Sequence, residues 1–351
     1  MAYEKIRTEG GALPAAEVER LGRALREGAI LALPTETVYG LAVRNDRVDS
    51  LRASGTLEDQ PGPVAIHLPD RTAVSLHVSH CPVPAERLMD RYWPGPLTVV
   101  LRDGEGEWIG LRLPARRSTR DILRFAEIPV VMAAAARPGE PPAVDADSVE
   151  RQFSAFVAFV VDDGRSELGQ VSTVVRIGTG TFEVLREGIL TSTEVRRTAG
   201  RRVLLVCTGN TCRSPMAVGL LRRALARKLD LQDHEIGRFG YSVESAGLVA
   251  HGGAPPTPHA VEILREESID ISLHRTRPLS RDMIRESDLV LAMTQAHLSL
   301  VRELAPESDH KVRLLDPDGN DVPDPFGGDR EEYRMCLERI RRGVSVVVRS
   351  L

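Results

Sequence analysis

The hydrophobic and polar positions of the chain fall into two stretches of different rhythm. In the first, Val18, Leu21 and Leu25 recur at helical spacing over residues 15–28, and Gly28 stops the helix. AILALPTETVYGLAV reads as a strand entering a Pro-Thr-Glu-Thr loop, and residues 46–60 as helical, then polar. VAIHL (64–68) is a strand. PVPAERLMDRYWPGPLTVVL is a helix broken at Trp93-Pro94-Gly95-Pro96, followed by a strand from Leu97 to Leu101. WIGLRLPAR (108–116) predicts a strand, STRDILRFAE a short helix, PVVMAAAA a strand and RPGEPPA a turn-rich loop. FVAFVVDDG, STVVRI and TFEVLREG complete this half as strands. Its long apolar runs predict a sheet covered on both faces.

After TSTEVRRTAGRR (191–202), which is polar and basic, the pattern becomes strand–helix alternation. VLLVC, FGYSVESAGL, DLVLAMT and KVRLL are the strands. PMAVGLLRRALARKL, HAVEILREES, QAHLSLVREL and DREEYRMCLERIRRGVSVVVRS are the helices. This βαβαβαβα order predicts a doubly wound, four-stranded parallel sheet with ligands at the C-terminal strand ends. The expected organisation is an α/β chain of two domains, 1–195 and 202–351, joined by a linker at 196–201.

Composition narrows this picture. A chain of 351 residues is long enough for two cores, and 42% hydrophobic with 27% charged residues is globular. A net charge of −4 argues against global attraction to nucleic acid. No apolar run is long enough for a membrane span, and MAYEKIRTEGG lacks an apolar signal core, so the expected address is cytoplasmic, with no membrane partner. Four cysteines, Cys81, Cys207, Cys212 and Cys336, make no disulfide framework. Cys207 and Cys212 lack a second Cys/His pair at zinc spacing, so no metal is expected.

The strongest chemical signal is VLLVCTGNTCRSPM, Val203 to Met216. A buried strand enters a tight loop that opens into a helix. Backbone N–H groups and the helix dipole can converge there on a phosphate. Arg213 can grip two phosphate oxygens with its planar fork. The same field is expected to lower the pKa of Cys207 and make a thiolate available. Gly209 lets the backbone pass close to a ligand, Ser214 can donate to the thiolate, and Pro215 suits a first helical turn. Thiolate attack on phosphorus needs a carboxylic acid for the leaving group. Asp324 in VPDPFGG is the candidate, with Asp321 and Asp316 as rivals nearby.

Residues 202–345 resemble the low-molecular-weight protein tyrosine phosphatase family. CTGNTCRSP matches its signature loop, SAG (245–247) its second strand end, and Asp324-Pro325 its general-acid pair. The resemblance implies Cys207 as nucleophile, Arg213 as phosphate clamp and Asp324 as acid and base. It places Thr208, Gly209, Asn210, Thr211, Cys212 and Ser214 around the phosphate, with no cofactor and a phosphorylated protein as substrate. Cys212 would be the neighbour able to pair reversibly with Cys207. Thr211 and Asp-Pro-Phe-Gly-Gly resemble the members that dephosphorylate arginine. A hydroxyl suits a guanidinium beside phosphorus, so phosphoarginine is expected over phosphotyrosine.

LPTETVYGLA, YWPGPLTVVL, LRLPAR, GEPPA, VSTVV and LREG together resemble the Sua5/YciO/YrdC family over about residues 10–190. Members are mixed α/β domains; active ones form threonylcarbamoyl-adenylate from ATP, threonine and bicarbonate for tRNA t6A modification, and some bind double-stranded RNA. This chain departs at two points. Ser54-Gly55-Thr56, followed by Glu58 and Asp59, stands where active members carry Lys-x-Arg. Ala134-Ala135-Ala136 stands where they carry Ser-x-Asn. A triphosphate carries roughly four negative charges and needs cations, so loss of synthase activity is expected. Thr35, Arg112, Ser172 and Thr173 remain as a small-ligand pocket. ATP, another nucleotide or RNA are its candidate ligands. The alternative is that Arg116, Arg117 or Arg120 replace the missing cations and synthesis survives; a purely structural RNA-linked scaffold is a third reading.

Overall fold

The structure is a computed structural model and describes residues 3–57, 62–178 and 181–351. Two compact units are present, Met1–Ala199 and Gly200–Leu351.

The first unit contains β1 (Glu4–Arg7), α1 (Ala15–Arg26), β2 (Leu31–Leu33), β3 (Gly40–Arg44), α2 (Val48–Ala53), β4 (Ala65–His67) and α3 (Val83–Tyr92). It continues with β5 (Leu97–Arg102), β6 (Trp108–Arg112), α4 (Arg117–Ala126), β7 (Val130–Ala134), α5 (Ala146–Phe153), β8 (Phe159–Asp162), β9 (Thr173–Gly178), β10 (Thr181–Arg186) and α6 (Ser192–Ala199). The strands form one mixed sheet in the order β1-β8-β2-β3-β7-β4-β6-β5-β9-β10. Both alternations of β2, β5 and β7 are buried, as expected of a sheet covered on its two faces. One core packs Leu21 and Leu25 of α1 with Ile122 and Leu123 of α4 against Leu31, Leu33 and Met132. Each such fully buried side chain contributes about 1.5–3 kcal/mol relative to exposure.

The helix Ser192–Ala199 runs into the stretch expected to link the domains, 196–201, and Val195 and Ala199 on it are buried. The apolar positions are only two among arginines and threonines, so composition concealed a packed helix. The boundary between units falls after it, at Gly200. Gly200 has no room for a side chain, since a Cβ would overlap the Gly240 carbonyl carbon. Glu58 and Asp59, counted as departures from the synthase pattern, lie outside the described residues.

The second unit contains β11 (Arg202–Cys207), α7 (Arg213–Leu229), β12 (Ser242–Gly247), α8 (Pro258–Glu266), α9 (Arg281–Glu286), β13 (Leu289–Ala292), α10 (Gln295–Leu304), β14 (Val312–Leu314) and α11 (Arg330–Ser350). Its four strands run in the order β12-β11-β13-β14, every adjacent pair parallel. The doubly wound sheet expected from the alternation is present. Leu204 and Val206 pack with Val290, Ala292, Leu298 and Val301 in one core. α11 starts with a capping box, Asp329 with Glu332, and buries Tyr333, Cys336, Leu337 and Ile340. Register places Cys207 opposite Gly247 at the C-terminal strand edge. A Cβ at Gly247 would meet the Thr208 carbonyl oxygen at 2.5 Å, so the loop after β11 can close only over glycine. Among the described residues no helix is long and apolar enough to cross a membrane.

Candidate active site

β11 delivers Cys207 into the loop 208–212, and α7 begins at Arg213. The left-handed residue of this loop is Asn210, φ 59°, rather than Gly209. Asparagine tolerates that region because its side chain can bond locally. Here its Nδ2 donates to Ser214 Oγ at 2.8 Å and to Ser245 Oγ at 2.9 Å, while its Oδ1 accepts from the Arg277 backbone N–H at 3.0 Å. Its carbonyl lies 2.8 Å from His274 Nε2. Gly209 instead leaves the cavity side of the loop bare, with only the Thr211 hydroxyl near a hypothetical Cβ, at 3.6 Å.

Cys207 Sγ lies 2.9 Å from Ser214 Oγ and accepts from the Asn210 N–H at 3.3 Å. The direction of its pKa shift is opposite to the expected lowering. Burial pushes the Cys207 thiol up, and Ser214, the Asn210 N–H and the Arg213 charge pull it down without prevailing. Desolvation is stronger than anticipated because the thiol is 2% exposed.

Arg213 is buried, and its guanidinium is fixed on three sides. It donates to the Val322 carbonyl at 3.2 Å, to Thr208 Oγ1 at 3.1 Å and to Asp324 Oδ2 at 2.5 Å. Of the three candidate carboxylates, only Asp324 stands beside the loop. Asp321 accepts from the Gln295 N–H at the start of α10, at 2.7 Å. Asp316 is buried against Arg339 at 3.5 Å and accepts from the Asp318 N–H. Both rivals hold local structure. Cys207, Thr208, Gly209, Thr211, Cys212, Arg213, Asp324 and Phe326 line one cavity of about 210 Å³.

Cys212 Sγ lies 3.3 Å from Tyr333 Oη and receives the Thr257 hydroxyl at 3.5 Å. Tyr333 and His297, 2.8 Å from Thr208 Oγ1, were not foreseen. Neither belongs to a local motif, since each reaches the loop from a helix distant in sequence.

In the first unit Thr35, Arg112 and Ser172 line one cavity, together with His67, Ala134 and Arg186. Thr173 does not line it; its hydroxyl donates to the Leu190 carbonyl at 2.7 Å and accepts from the Gly188 and Leu190 N–H groups. Arg112 is held through one nitrogen: its Nη2 donates to Glu36 Oε1 at 2.6 Å and to Thr37 Oγ1 at 2.7 Å, while its buried Nε has no partner among the described residues. Arg186 donates to the Ser172 carbonyl at 3.0 Å. Burial, then the Arg112 charge, hold His67 down at about 3, so it is neutral. Ser54 and Thr56 are buried, and both hydroxyls donate to the Leu51 carbonyl. Arg116 pairs with Asp163 and Glu167, and Arg117 with Asp121.

Comparison with known proteins follows the same division. Residues 23–188 match the Sua5/YciO/YrdC family model, described as "Telomere recombination". Residues 202–351 match the model described as "Low molecular weight phosphotyrosine protein phosphatase". A probable low molecular weight protein-tyrosine-phosphatase, EpsP, from Ralstonia nicotianae is 36% identical over 149 residues, 42% of this chain and 94% of that protein. A protein-arginine-phosphatase from Geobacillus stearothermophilus is 36% identical over 143 residues, 40% of this chain and 88% of that protein. A threonylcarbamoyl-AMP synthase from Pyrococcus abyssi is 28% identical over 214 residues, 58% of this chain; the chain spans 63% of its length. The chain therefore matches the Sua5/YciO/YrdC family model over much of its first unit and, through its second, belongs to the low-molecular-weight protein phosphatase family.

Proposed function

We propose that the second unit is a metal-independent protein phosphatase working through a cysteinyl-phosphate, with phosphoarginine as its preferred substrate. The observation that carries this is the convergence of Cys207, Arg213 and Asp324 on one cavity of about 210 Å³. In the first step the Cys207 thiolate attacks phosphorus, the S–P bond forms, and the bond to the leaving group breaks. Asp324 gives that group its proton. In the second, Asp324 takes a proton from water, whose oxygen attacks phosphorus and frees Cys207. Arg213 and the loop N–H groups carry the charge on the phosphoryl oxygens throughout.

Relatives named for arginine and for tyrosine dephosphorylation are equally similar, at 36%, so identity does not separate the substrates. The cavity wall favours arginine. Thr211 and Phe326 line it, and a hydroxyl can accept from a guanidinium N–H where an aliphatic side chain cannot. The deciding experiment compares kcat/KM on phosphoarginine and phosphotyrosine proteins for wild type and Cys207→Ser. Activity on phosphotyrosine alone contradicts the substrate assignment, and activity that survives Cys207→Ser contradicts the mechanism.

The first unit is, in this proposal, a non-catalytic descendant of the adenylate-forming fold. Its cavity among the described residues is about 40 Å³, against roughly 300–1,000 Å³ for pockets holding drug-sized ligands. Arg112, Arg116 and Arg117 are already paired with carboxylates, and the Ser54 and Thr56 hydroxyls are turned inward. Pyrophosphate release from ATP in the presence of threonine and bicarbonate is the test, and release would restore the synthase reading that the Pyrococcus relative suggests.

A further inference from the structure

Thr208 follows the nucleophile directly, and it lines the catalytic cavity. Its Oγ1 receives an N–H of Arg213 Nη2 at 3.1 Å. The Nε2 of His297 lies 2.8 Å from the same oxygen. His297 stands in the first turn of α10, where its backbone N–H donates to Thr294 Oγ1 at 3.2 Å, and it is 6% exposed. Its other ring nitrogen, Nδ1, is buried and has no hydrogen-bond partner among the described residues.

Burial first, then the Arg213 charge, hold this imidazole down at about 4, against the opposing pull of Asp324 and Asp321. The ring is therefore neutral in the working range and carries one N–H. Placing that hydrogen on Nδ1 would bury a donor with no acceptor. Placing it on Nε2 leaves only a lone pair unfilled, the less costly of the two. With Nε2–H donating, the two acceptor positions of Thr208 Oγ1 are filled, one by His297 and one by Arg213. The hydroxyl proton of Thr208 is then left over for a third direction.

Building on the phosphatase reading, we infer that His297 is a positioning residue for the reaction: it turns the Thr208 hydroxyl proton toward the phosphate cradle, adding a side-chain donor for a phosphoryl oxygen, and holds the Arg213 fork in place through the same oxygen. The arrangement reaches the loop from α10, on the far side of β13 in the chain. A histidine that only filled the core would need no hydroxyl partner and no particular tautomer.

The test is a double-mutant cycle on the full chain with Thr208→Val and His297→Leu, and with His297→Gln as the variant that returns an N–H donor. Thr208→Val is expected to lower kcat by about 10²-fold with a smaller change in KM, as for one lost transition-state donor. His297→Leu should match it, the double variant should be no worse than either, and His297→Gln should regain most of the loss. Vanadate affinity, read by calorimetry, should follow kcat across the set, because vanadate takes up the geometry of the transferring phosphoryl. Losses that multiply in the double variant, or a His297→Leu protein with lowered thermal stability but unchanged kcat and vanadate affinity, overturn the inference. A wild-type protein inactive on both phosphoarginine and phosphotyrosine counts against the phosphatase reading instead, and vanadate affinity across the variants still decides the role of His297.

Discussion

The guanidinium of Arg213 lies 2.5 Å from the carboxylate of Asp324, across 111 residues of sequence. The proposed phosphate clamp and the proposed acid thus hold each other. Arg213 is 5% exposed and Asp324 46%, so the arginine is fixed by the protein and the carboxylate is the partner able to move. In the proposed reaction an incoming phosphoryl group would compete with Asp324 for Nη2 and free the carboxyl group for the leaving atom.

Asp324→Asn should keep the fold and lower kcat by roughly 10²–10⁴, the usual contribution of a positioned acid. Asp321→Asn, whose carboxylate accepts from the Gln295 N–H, should change kcat much less. Steady-state kinetics on both variants separates them. Equal losses would mean that Asp324 is not the acid.

Burial holds the Cys207 thiol above its ordinary value, so in the free protein the thiolate fraction should grow only as pH rises past the usual thiol range. Iodoacetamide alkylation of Cys207 should therefore accelerate through and beyond about pH 8.5, with no plateau at lower pH. Bound vanadate should protect the residue. A plateau in the acidic range would mean that the loop dipoles and Arg213 outweigh desolvation.

Thr211→Ile replaces a hydroxyl on the cavity wall with an aliphatic side chain. The ratio of kcat/KM for phosphotyrosine over phosphoarginine should rise by about tenfold or more, since the guanidinium loses a polar partner and a phenyl ring meets an apolar wall. An unchanged ratio would remove Thr211 from substrate selection.

The legibility of the chain follows from how local each signal is. The loop at 207–214 was readable because strand, glycine, arginine and helix start lie within one short run; the structure has that strand, loop and helix, with Asn210 and Ser214 bonded beneath the loop and absent from the cavity lining. The residues alone left Asp321 and Asp316 as rivals to Asp324, since all three are turn aspartates; the Asp324-Pro325 resemblance favoured Asp324, and the coordinates add the different partners of the three. Asn210 as the left-handed residue was hidden behind the adjacent Gly209. Ser192–Ala199 and Ala146–Phe153 carry little helical signal in the sequence, because few apolar residues mark them. The edge strand β1 carries a single buried position, Ile6, too little for a period. His297 and Tyr333 sit on ordinary amphipathic helices, and nothing in their own segments marks them.

In the first unit the Arg112–Glu36 pair is enclosed, with side chains 7% and 8% exposed. Glu36→Ala leaves a buried guanidinium uncompensated and should destabilise the protein by about 3–5 kcal/mol. Urea unfolding measures this. A negligible loss would mean that solvent or a ligand reaches Arg112, which would reopen this cavity as a binding site.

A thiolate mechanism requires a covalent bond between Cys207 and phosphorus. Wild-type protein mixed with a phosphoarginine substrate, quenched within the first turnover and digested, should carry a phosphate adduct on the peptide containing Cys207. The Cys207→Ala protein should carry none. An adduct elsewhere, or none in an enzyme that turns over, would contradict the thiolate mechanism.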